Sequence, residues 1–199
     1  WLFYNERKYW TEDRVEAYLT SFPTERQILL DYFCERQEVW KRTDSFYGVP
    51  YIWCYLGNFG GNTALVGKFE DINRKVENAL VNGGPNMSGL GATLEGLDCN
   101  PYVYEYLFEK AWDLPQHQDV HAWTEGLADQ RVGFEDPKAR QAWKLLIDSV
   151  YVDSAASGQA SFVNHRPAIG RSRTVYANAR LLYDNRHLTE ALGLLLEVD

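Results

Sequence analysis

The sequence predicts an α/β fold, part of a (β/α)8 barrel, followed by an all-α domain. Through the first half of the chain, short apolar runs of strand length alternate with amphipathic helical segments, which is the pattern of parallel strands joined by helices. After Pro115 the strand-like runs stop and helical patterns alone follow. We therefore place a domain boundary near residues 113–118.

Four apolar runs have the length of strands. Residues 1–4 form a short apolar stub, and residues 28–33 and 50–56 have the length expected of buried parallel strands. Residues 87–94 form a weaker strand pattern that contains two glycines. Because the active site of a barrel lies at the carboxyl ends of its strands, the residues that follow these runs are the candidates for function.

Apolar residues at helical spacing predict helices over 12–21, 63–80, 101–112, 119–131, 136–151 and 174–198. Thr11 can cap the first of these helices, and Pro101 suits the first turn of the third. A polar linker over residues 153–159 separates the last two. The sequence contains neither GxGxxG nor GxxxxGK[ST], which argues against a nucleotide-binding sheet.

The composition is that of a globular protein with a sizeable core. Hydrophobic residues make up 45% and charged residues 24% of the 199 residues. Seven Trp and thirteen Tyr raise the aromatic share to 15%, which fits either a large aromatic core or surfaces that stack on sugar rings. The net charge of −8 without a basic stripe argues against nucleic acid as a partner, and no apolar run has the length of a membrane span.

Neither the cysteines nor the histidines indicate a metal site. Cys34, Cys54 and Cys99 are widely spaced and form no CxxC pair. His117 and His121 have helical i, i+4 spacing but lack the Glu of an HExxH motif, so we expect both on the surface. The sequence therefore predicts no metal site built from these residues.

The candidate catalytic residues are acids at strand ends. Glu95 follows the Gly-rich strand that ends at Leu94 and precedes a glycine, although a solvated loop Glu would look the same. Glu35, just past the strand that ends at Phe33, is the competing candidate. Asp31 lies within an apolar run and is expected to be a buried acid with a satisfied partner.

Two further features at strand ends are compatible with sugar binding. The loop Asn58-Phe59-Gly60-Gly61-Asn62 follows a strand, and its amides could hold sugar hydroxyls or simply form a turn. Trp1 and Trp53 are candidate platforms for a sugar ring, although a Trp within a strand is more often a core residue.

Taken together, these motifs resemble the α-N-acetylglucosaminidases of glycoside hydrolase family 89. The most specific segment is Tyr51 to Asn62, YIWCYLGNFGGN, which is similar to a strand and loop of that family. Further similar segments occur in the same order through most of residues 1–151. They are WLF at 1–3, LDYF at 30–33, VNGGP at 81–85, GATLEG at 91–96 and AWKLL at 142–146.

The resemblance implies a fold and a set of site residues. It implies that residues 1–114 form the C-terminal portion of the catalytic (β/α)8 barrel and that residues 115–199 begin a helical C-terminal domain. Glu95 matches the nucleophile of the family. Trp1, Ile52 and Leu56 match positions that line the sugar pocket, and we add Trp53 and Asn58 to the expected substrate-binding residues.

The resemblance also implies removal of terminal α-linked N-acetylglucosamine with retention, on heparan sulfate fragments or mucin-type glycans. In an α-linked sugar the 2-acetamido group would have to close a strained trans-fused ring, so an enzyme carboxylate must attack and form a covalent glycosyl-enzyme. The acid/base is expected on a strand before Trp1, so residues 1–199 alone are expected to be inactive. No metal or organic cofactor is required.

The alternative is a non-catalytic carbohydrate-binding or structural helical module, although binding modules are usually β-sandwiches rather than alternating strands and helices. The resemblance further implies a secreted, periplasmic or lysosomal protein, possible homo-oligomers, and neither nucleic acid nor membrane as a partner. Asn86-Met87-Ser88 has the form of a glycosylation acceptor, which carries meaning only in a eukaryotic secretory pathway.

Overall fold

The described part of the chain contains three parallel strands, six α-helices of nine or more residues, two 3-10 helices (Thr24–Arg26 and Val39–Arg42) and a four-residue turn (Asp44–Tyr47). The computed structural model describes residues 3, 6–57, 65–96, 100–114, 117–153 and 182–198. The strands are β1 (Leu29–Asp31), β2 (Tyr51–Tyr55) and β3 (Met87–Ala92). The helices are α1 (Glu12–Thr20), α2 (Phe69–Asn82), α3 (Pro101–Trp112), α4 (Val120–Val132), α5 (Pro137–Ser149) and α6 (Asn185–Leu195).

The strands form one sheet in the order β1-β2-β3, and both pairs are parallel. Leu30 pairs with Ile52, and Ile52 pairs with Gly89, so the three carboxyl ends lie at one edge of the sheet. Since parallel strands need crossover connections, the helix between β2 and β3 follows from this pairing. The predicted parallel α/β architecture is confirmed.

Side chains alternate along β2 between two different environments. Tyr51, Trp53 and Tyr55 belong to the buried core together with apolar residues of α2. Ile52 and Cys54 lie on the opposite face beside Gly91, where an added Cβ would come within 3.0 Å of Ile52 Cγ2 and 3.3 Å of Cys54 Sγ. A side chain at Gly91 would therefore crowd this face of the sheet.

Aromatic rings join the helices after residue 115 to the α/β part. Trp123 on α4 packs on Tyr102 and Tyr106 of α3, with centroid distances of 5.2 and 5.0 Å. Phe69, at the start of α2, lies 4.8 Å from Tyr106 and 5.9 Å from Tyr151. These aromatic residues thus pack at the contact between the two parts. Of the two explanations for the high aromatic content, a large aromatic core therefore applies to them.

The predicted helices correspond to observed ones, with two shifts in their starts. The expected helix at 63–80 begins later, at Phe69. Gly67, two residues before it, has a φ of 138°, which lies outside the helical range. An added Cβ at Gly67 would also come within 2.5 Å of Val103. The expected helix at 174–198 is observed as α6, and residues 174–181 and the predicted linker from residue 154 onward lie outside the described residues.

The expected strand at residues 1–4 can be compared with the structure only at Phe3. Phe3, the one residue of this stretch that the structure describes, is helical. Its ring packs edge-on against Trp10 at 5.2 Å and Tyr18 at 6.2 Å between centroids. This strand prediction is wrong at Phe3 because its apolar side chain is buried by aromatic neighbours around α1 instead of by a sheet.

The described residues include two free, buried thiols, Cys34 and Cys54. They contain no group of three or more His, Cys, Asp or Glu side chains that could hold a metal ion. Within the same residues, no helix combines the length and apolar character needed to cross a membrane.

A left-handed turn precedes β2 and is held by Asn86. The residues Asp44–Tyr47 have φ of 42°, 52°, 56° and 53°, a conformation that costs a non-glycine residue roughly 1–2 kcal/mol. Asn86 Nδ2 donates to the carbonyl oxygens of Ser45 and Val49, both at 2.7 Å. A glycan would be attached to this same nitrogen, so glycosylation of Asn86 is incompatible with both hydrogen bonds.

We expect Asn86→Ala to destabilise the complete protein by on the order of 2 kcal/mol, because two carbonyl groups lose their donor next to a strained turn. Urea unfolding measures the change. The matched control is Asn82→Ala, which removes an exposed hydrogen bond to Asn78 and should change stability by less than about 0.5 kcal/mol. Equal effects of the two substitutions would show that Asn86 does not hold the turn.

Candidate active site

The segment that follows β1, residues 32–35, contacts the carboxyl ends of both other strands. The Cys34 amide donates to the Cys54 carbonyl at 3.0 Å. The Thr93 hydroxyl donates to the Tyr32 carbonyl at 2.5 Å, and the Thr93 amide donates to the Tyr55 carbonyl at 3.0 Å. The carboxyl ends of the three strands are therefore linked by direct hydrogen bonds, close in sequence to the candidate acids Glu35 and Glu95.

Glu35 anchors the end of β2 from within this segment. Its carboxylate accepts the Leu56 amide at 3.0 and 3.1 Å and the Gly57 amide at 2.7 Å. The residue is 2% exposed. Burial raises the pKa of Glu35 to about 7, and the amides of Gly57 and Leu56 partly oppose that rise because they favour the ionised form.

Two side chains from neighbouring helices hold the same region. Lys75 on α2 donates to the carbonyl oxygens of Cys34, at 3.2 Å, and of Glu35. The Tyr104 hydroxyl on α3 donates to the Leu56 carbonyl at 2.6 Å. Gly57 has φ of 73°, and an added Cβ would lie 2.5 Å from the Tyr104 hydroxyl, so only glycine fits there.

Glu95 lies at the same edge of the sheet but in a different environment. It comes two residues after Thr93, just past the end of β3, and its side chain is exposed. Of the two carboxylates that the sequence proposes for catalysis, Glu95 is open to solvent, whereas Glu35 is buried and used by backbone amides. This is the clearest distinction that the geometry makes between them.

The predicted substrate-binding residues of β2 differ in how they are placed. Ile52 is partly exposed on the face that also carries Cys54 and Gly91. Trp53 is 0% exposed, belongs to the core, and donates from Nε1 to Glu38 at 3.2 Å. Its ring has no free face, which corrects the expectation of a sugar platform at Trp53.

Leu56 is also 0% exposed, so its side chain offers no surface to a ligand and the expected direct contact is not supported. Its backbone is fixed instead, since the amide binds Glu35 and the carbonyl binds Tyr104. Trp1, Asn58 and the rest of the loop 58–62 lie outside the described residues, and their roles stay predictions.

The expectation that the two histidines lie on the surface is confirmed. His117 pairs with Glu77 at 2.8 Å, and His121 pairs with Asp148 at 2.8 Å. The His117 side chain is 62% exposed and the His121 side chain is 49% exposed.

Sequence reasoning missed the residues that hold the site together. Thr93, Lys75 and Tyr104 donate to carbonyl groups of residues 40 to 61 positions away, and a single sequence gives no sign of such pairs. For Glu35 a signal was present, because an acid directly after an apolar run needs a partner. The sequence does not say whether that partner is a substrate or the backbone.

Asp31, the last residue of β1, is a second buried acid near this site, as expected. It is 2% exposed, and its Oδ2 accepts the Trp40 amide at 3.1 Å. Burial is the main cause that raises the pKa of Asp31 to about 7, and the Trp40 amide opposes it. Glu38 lies nearby, where it accepts both Trp40 Nε1 and Trp53 Nε1.

The Asp31 pKa predicts a pH dependence of stability. Since the folded-state pKa of about 7 exceeds the unfolded value of about 3.9, the folded state binds the proton more tightly. Stability from this group is complete below about pH 4 and falls as the pH rises through 7. We compare the free energy of unfolding of Asp31→Asn with that of wild type by urea unfolding. We expect this difference to be about 1–3 kcal/mol more in favour of the variant at pH 8 than at pH 5.

The control for this measurement is Asp113→Asn, which replaces an exposed aspartate. Its free energy of unfolding should differ from that of wild type by the same amount at pH 5 and at pH 8. A difference between Asp31→Asn and wild type that stays constant from pH 5 to pH 8 would show that Asp31 is ionised in the folded protein throughout that range.

Comparisons with known proteins assign both parts of the chain. Residues 1–114 match the family described as Alpha-N-acetylglucosaminidase (NAGLU) tim-barrel domain, and residues 123–199 match the Alpha-N-acetylglucosaminidase (NAGLU) C-terminal domain. Alpha-N-acetylglucosaminidase of Homo sapiens is 37% identical over 196 residues, which are 98% of this chain and 26% of the human sequence. The chain thus spans about a quarter of that relative.

Solved structures of a family 89 glycoside hydrolase from Clostridium perfringens have a similar fold. The complex with 2-acetamido-1,2-dideoxynojirmycin has a TM-score of 0.77 and 27% identity, covering 93% of this chain and 21% of that one. A variant with two Glu→Gln substitutions, in complex with its substrate GlcNAc-alpha-1,4-galactose, has a TM-score of 0.72 and 28% identity, covering 84% and 19%.

The family matches cover both the strand–helix part and the helical part, and the bacterial structures share the fold of this chain with TM-scores of 0.77 and 0.72. The chain therefore belongs to the α-N-acetylglucosaminidase family, glycoside hydrolase family 89, and carries a stretch of its TIM-barrel domain and of its C-terminal domain.

Proposed function

We propose that the complete protein is a retaining glycoside hydrolase that removes terminal α-linked N-acetylglucosamine from glycans, with Glu95 as the nucleophile. The observation that carries this proposal is the exposed carboxylate of Glu95 at the carboxyl end of β3, in a chain of the α-N-acetylglucosaminidase family. In a barrel enzyme this edge of the sheet is where catalytic groups lie.

The ligands of the bacterial relative support the substrate class. That enzyme binds an N-acetylglucosamine-like iminosugar, and its double Glu→Gln variant holds GlcNAc-alpha-1,4-galactose as substrate. Replacing two glutamates to keep a substrate intact is what a mechanism with two carboxyl groups calls for. We extend the same substrate class, a terminal α-linked N-acetylglucosamine, to the complete form of this protein.

In the proposed reaction a Glu95 oxygen attacks the anomeric carbon as the bond to the leaving-group oxygen breaks. A second carboxylic acid, which we assign to a part of the complete protein that precedes this chain, gives its proton to that oxygen. Water then attacks the glycosyl-enzyme, the second group takes a proton from the water, and Glu95 is released as a carboxylate. Each inversion cancels the other, so the α configuration is retained.

The placement of the acids supports Glu95 over Glu35 for this step. A nucleophile must reach the sugar, and Glu95 is exposed. Glu35 is buried, and both of its oxygens accept backbone amides of residues 56 and 57. To attack a sugar, Glu35 would have to leave two charge-assisted hydrogen bonds that fix the end of β2.

We expect Glu95→Ala in the complete protein to lose at least about 1,000-fold in kcat on both an activated aryl α-N-acetylglucosaminide and a natural disaccharide, because neither can form the glycosyl-enzyme. Loss of an acid would instead spare the activated substrate. Initial-rate measurements on both substrates separate the two roles, and Glu25→Ala, at an exposed glutamate away from the strand ends, is the control.

Azide identifies the face from which the missing carboxylate acted. With Glu95→Ala, azide should restore turnover of the activated substrate and give the β-glycosyl azide, since a small anion enters from the vacated nucleophile side. Formation of the α-glycosyl azide would make Glu95 the acid/base. Retention of most activity by Glu95→Ala would remove it from catalysis, and Glu35 would be tested next.

We expect Trp1→Ala in the complete protein to weaken binding of an N-acetylglucosamine-like iminosugar about tenfold or more, because an aromatic ring that covers one face of the sugar would be lost. Inhibition constants measure the effect. Trp112→Ala is the matched control, since that ring is 92% exposed at the end of α3. Unchanged inhibition by the Trp1 variant would exclude a contact with the sugar.

A further inference from the structure

We propose that residues 32–35 form a brace that aligns the sugar pocket with the nucleophile, and that Glu35 and Thr93 are its two positioning residues. This inference rests on the proposed function, because it concerns the same site: the Glu35 end of the brace positions the chain after β2, and the Thr93 end positions the chain after β3. Neither residue is proposed to touch the substrate.

The Glu35 end of the brace fixes the position where the chain leaves β2. The carboxylate holds the amides of Leu56 and Gly57 at 2.7 to 3.1 Å. The Tyr104 hydroxyl holds the Leu56 carbonyl from the other side at 2.6 Å. Asn58, which is expected to bind substrate, is the next residue of the sequence, so Glu35 sets the starting point of that part of the pocket.

The Thr93 end fixes the position where the chain leaves β3. Its hydroxyl donates to the Tyr32 carbonyl at 2.5 Å, and its amide donates to the Tyr55 carbonyl at 3.0 Å. Thr93 thereby contacts the segment after β1 and the end of β2 at once. Glu95 follows two residues later. Because so short a stretch of backbone separates them, a shift of Thr93 would also displace Glu95, the proposed nucleophile.

The middle of the brace is attached to both the sheet and the helix layer. The Cys34 amide donates to Cys54 in β2, and Lys75 on α2 donates to the carbonyls of Cys34 and Glu35. Cys34 is 0% exposed and Glu35 is 2% exposed. A segment held at both ends and in the middle cannot take up a displacement of one strand end relative to the other.

Alignment of this kind has a large effect on rate and affinity. Catalytic groups must be held within about 0.5 Å of the productive geometry, and a misplacement of about 1 Å costs on the order of 100-fold. In Glu35→Gln, Oε1 can still accept both amides, but an NH2 group replaces Oε2 and places a donor at about the 3.1 Å that now separates Oε2 from the Leu56 amide, which is itself a donor. The end of β2 should then shift while the volume of the side chain is kept.

The test uses the complete protein with four variants. Glu35→Gln puts a donor against the Leu56 amide at one end of the brace, and Thr93→Val removes the hydroxyl that binds Tyr32 at the other. Glu38→Gln is the control for the first, because Glu38 is a buried acid three residues beyond the brace that accepts the indole N–H groups of Trp40 and Trp53. Thr43→Val is the control for the second, because its buried hydroxyl donates to the Val39 carbonyl at 3.0 Å, away from the strand ends.

For each variant we would measure kcat and KM on an aryl α-N-acetylglucosaminide, Kd for the iminosugar, and the melting temperature. Glu35→Gln should raise KM and Kd at least tenfold and leave kcat within threefold. Thr93→Val should lower kcat at least tenfold and leave KM within threefold. The controls should lower the melting temperature to a similar extent while kcat and KM stay within twofold.

The proposal is overturned if Glu35→Gln and Thr93→Val change kcat and KM no more than their controls at equal loss of melting temperature. If Glu35→Gln does not fold, Glu35→Asp keeps the charge on a shorter side chain and should give a smaller rise in KM; an unchanged KM counts against the brace. Failure of the proposed function is seen separately, as activity that survives Glu95→Ala.

Discussion

The buried carboxylate of Glu35, bound to the amides of Leu56 and Gly57, is the interaction on which the candidate site depends. A carboxylate that is 2% exposed costs free energy unless donors surround it, and here backbone amides supply them. The same hydrogen bonds determine where β2 ends. Burial of the acid and the position at which the chain leaves β2 therefore both follow from one contact.

Two glutamates at one edge of the sheet have opposite surroundings, and this difference is the ground for the two roles that we propose. Glu35 is enclosed, and its partners are the chain itself; Glu95 is exposed just past β3. A strand end in a barrel must be rigid enough to hold geometry and open enough to admit a sugar. Residues 32–35 provide the first property, which leaves the second to the residues after β3. An arrangement of three parallel strands with helices also counts against a β-sandwich binding module.

Much of the fold was predictable because it follows from local patterns. Pro101 and the apolar spacing after it predicted α3 with its observed bounds, and the runs at 28–33, 50–56 and 87–94 predicted β1, β2 and β3. The site was predictable only in part. A Trp within a strand can face a sugar or the core, and Glu38, which decides it for Trp53, lies 15 residues away. At Phe3, aromatic neighbours outweighed strand propensity. The Thr93 contact with Tyr32 spans 61 residues and leaves no trace in one sequence.

The stereochemistry of the first product tests the assignment of a carboxylate nucleophile most directly. Proton NMR would follow the anomeric signals while the complete protein hydrolyses an aryl α-N-acetylglucosaminide, before mutarotation mixes the anomers. Attack by Glu95 followed by attack of water predicts α-N-acetylglucosamine as the first product. If the β anomer forms first, water attacks the sugar directly, and Glu95 does not form a glycosyl-enzyme.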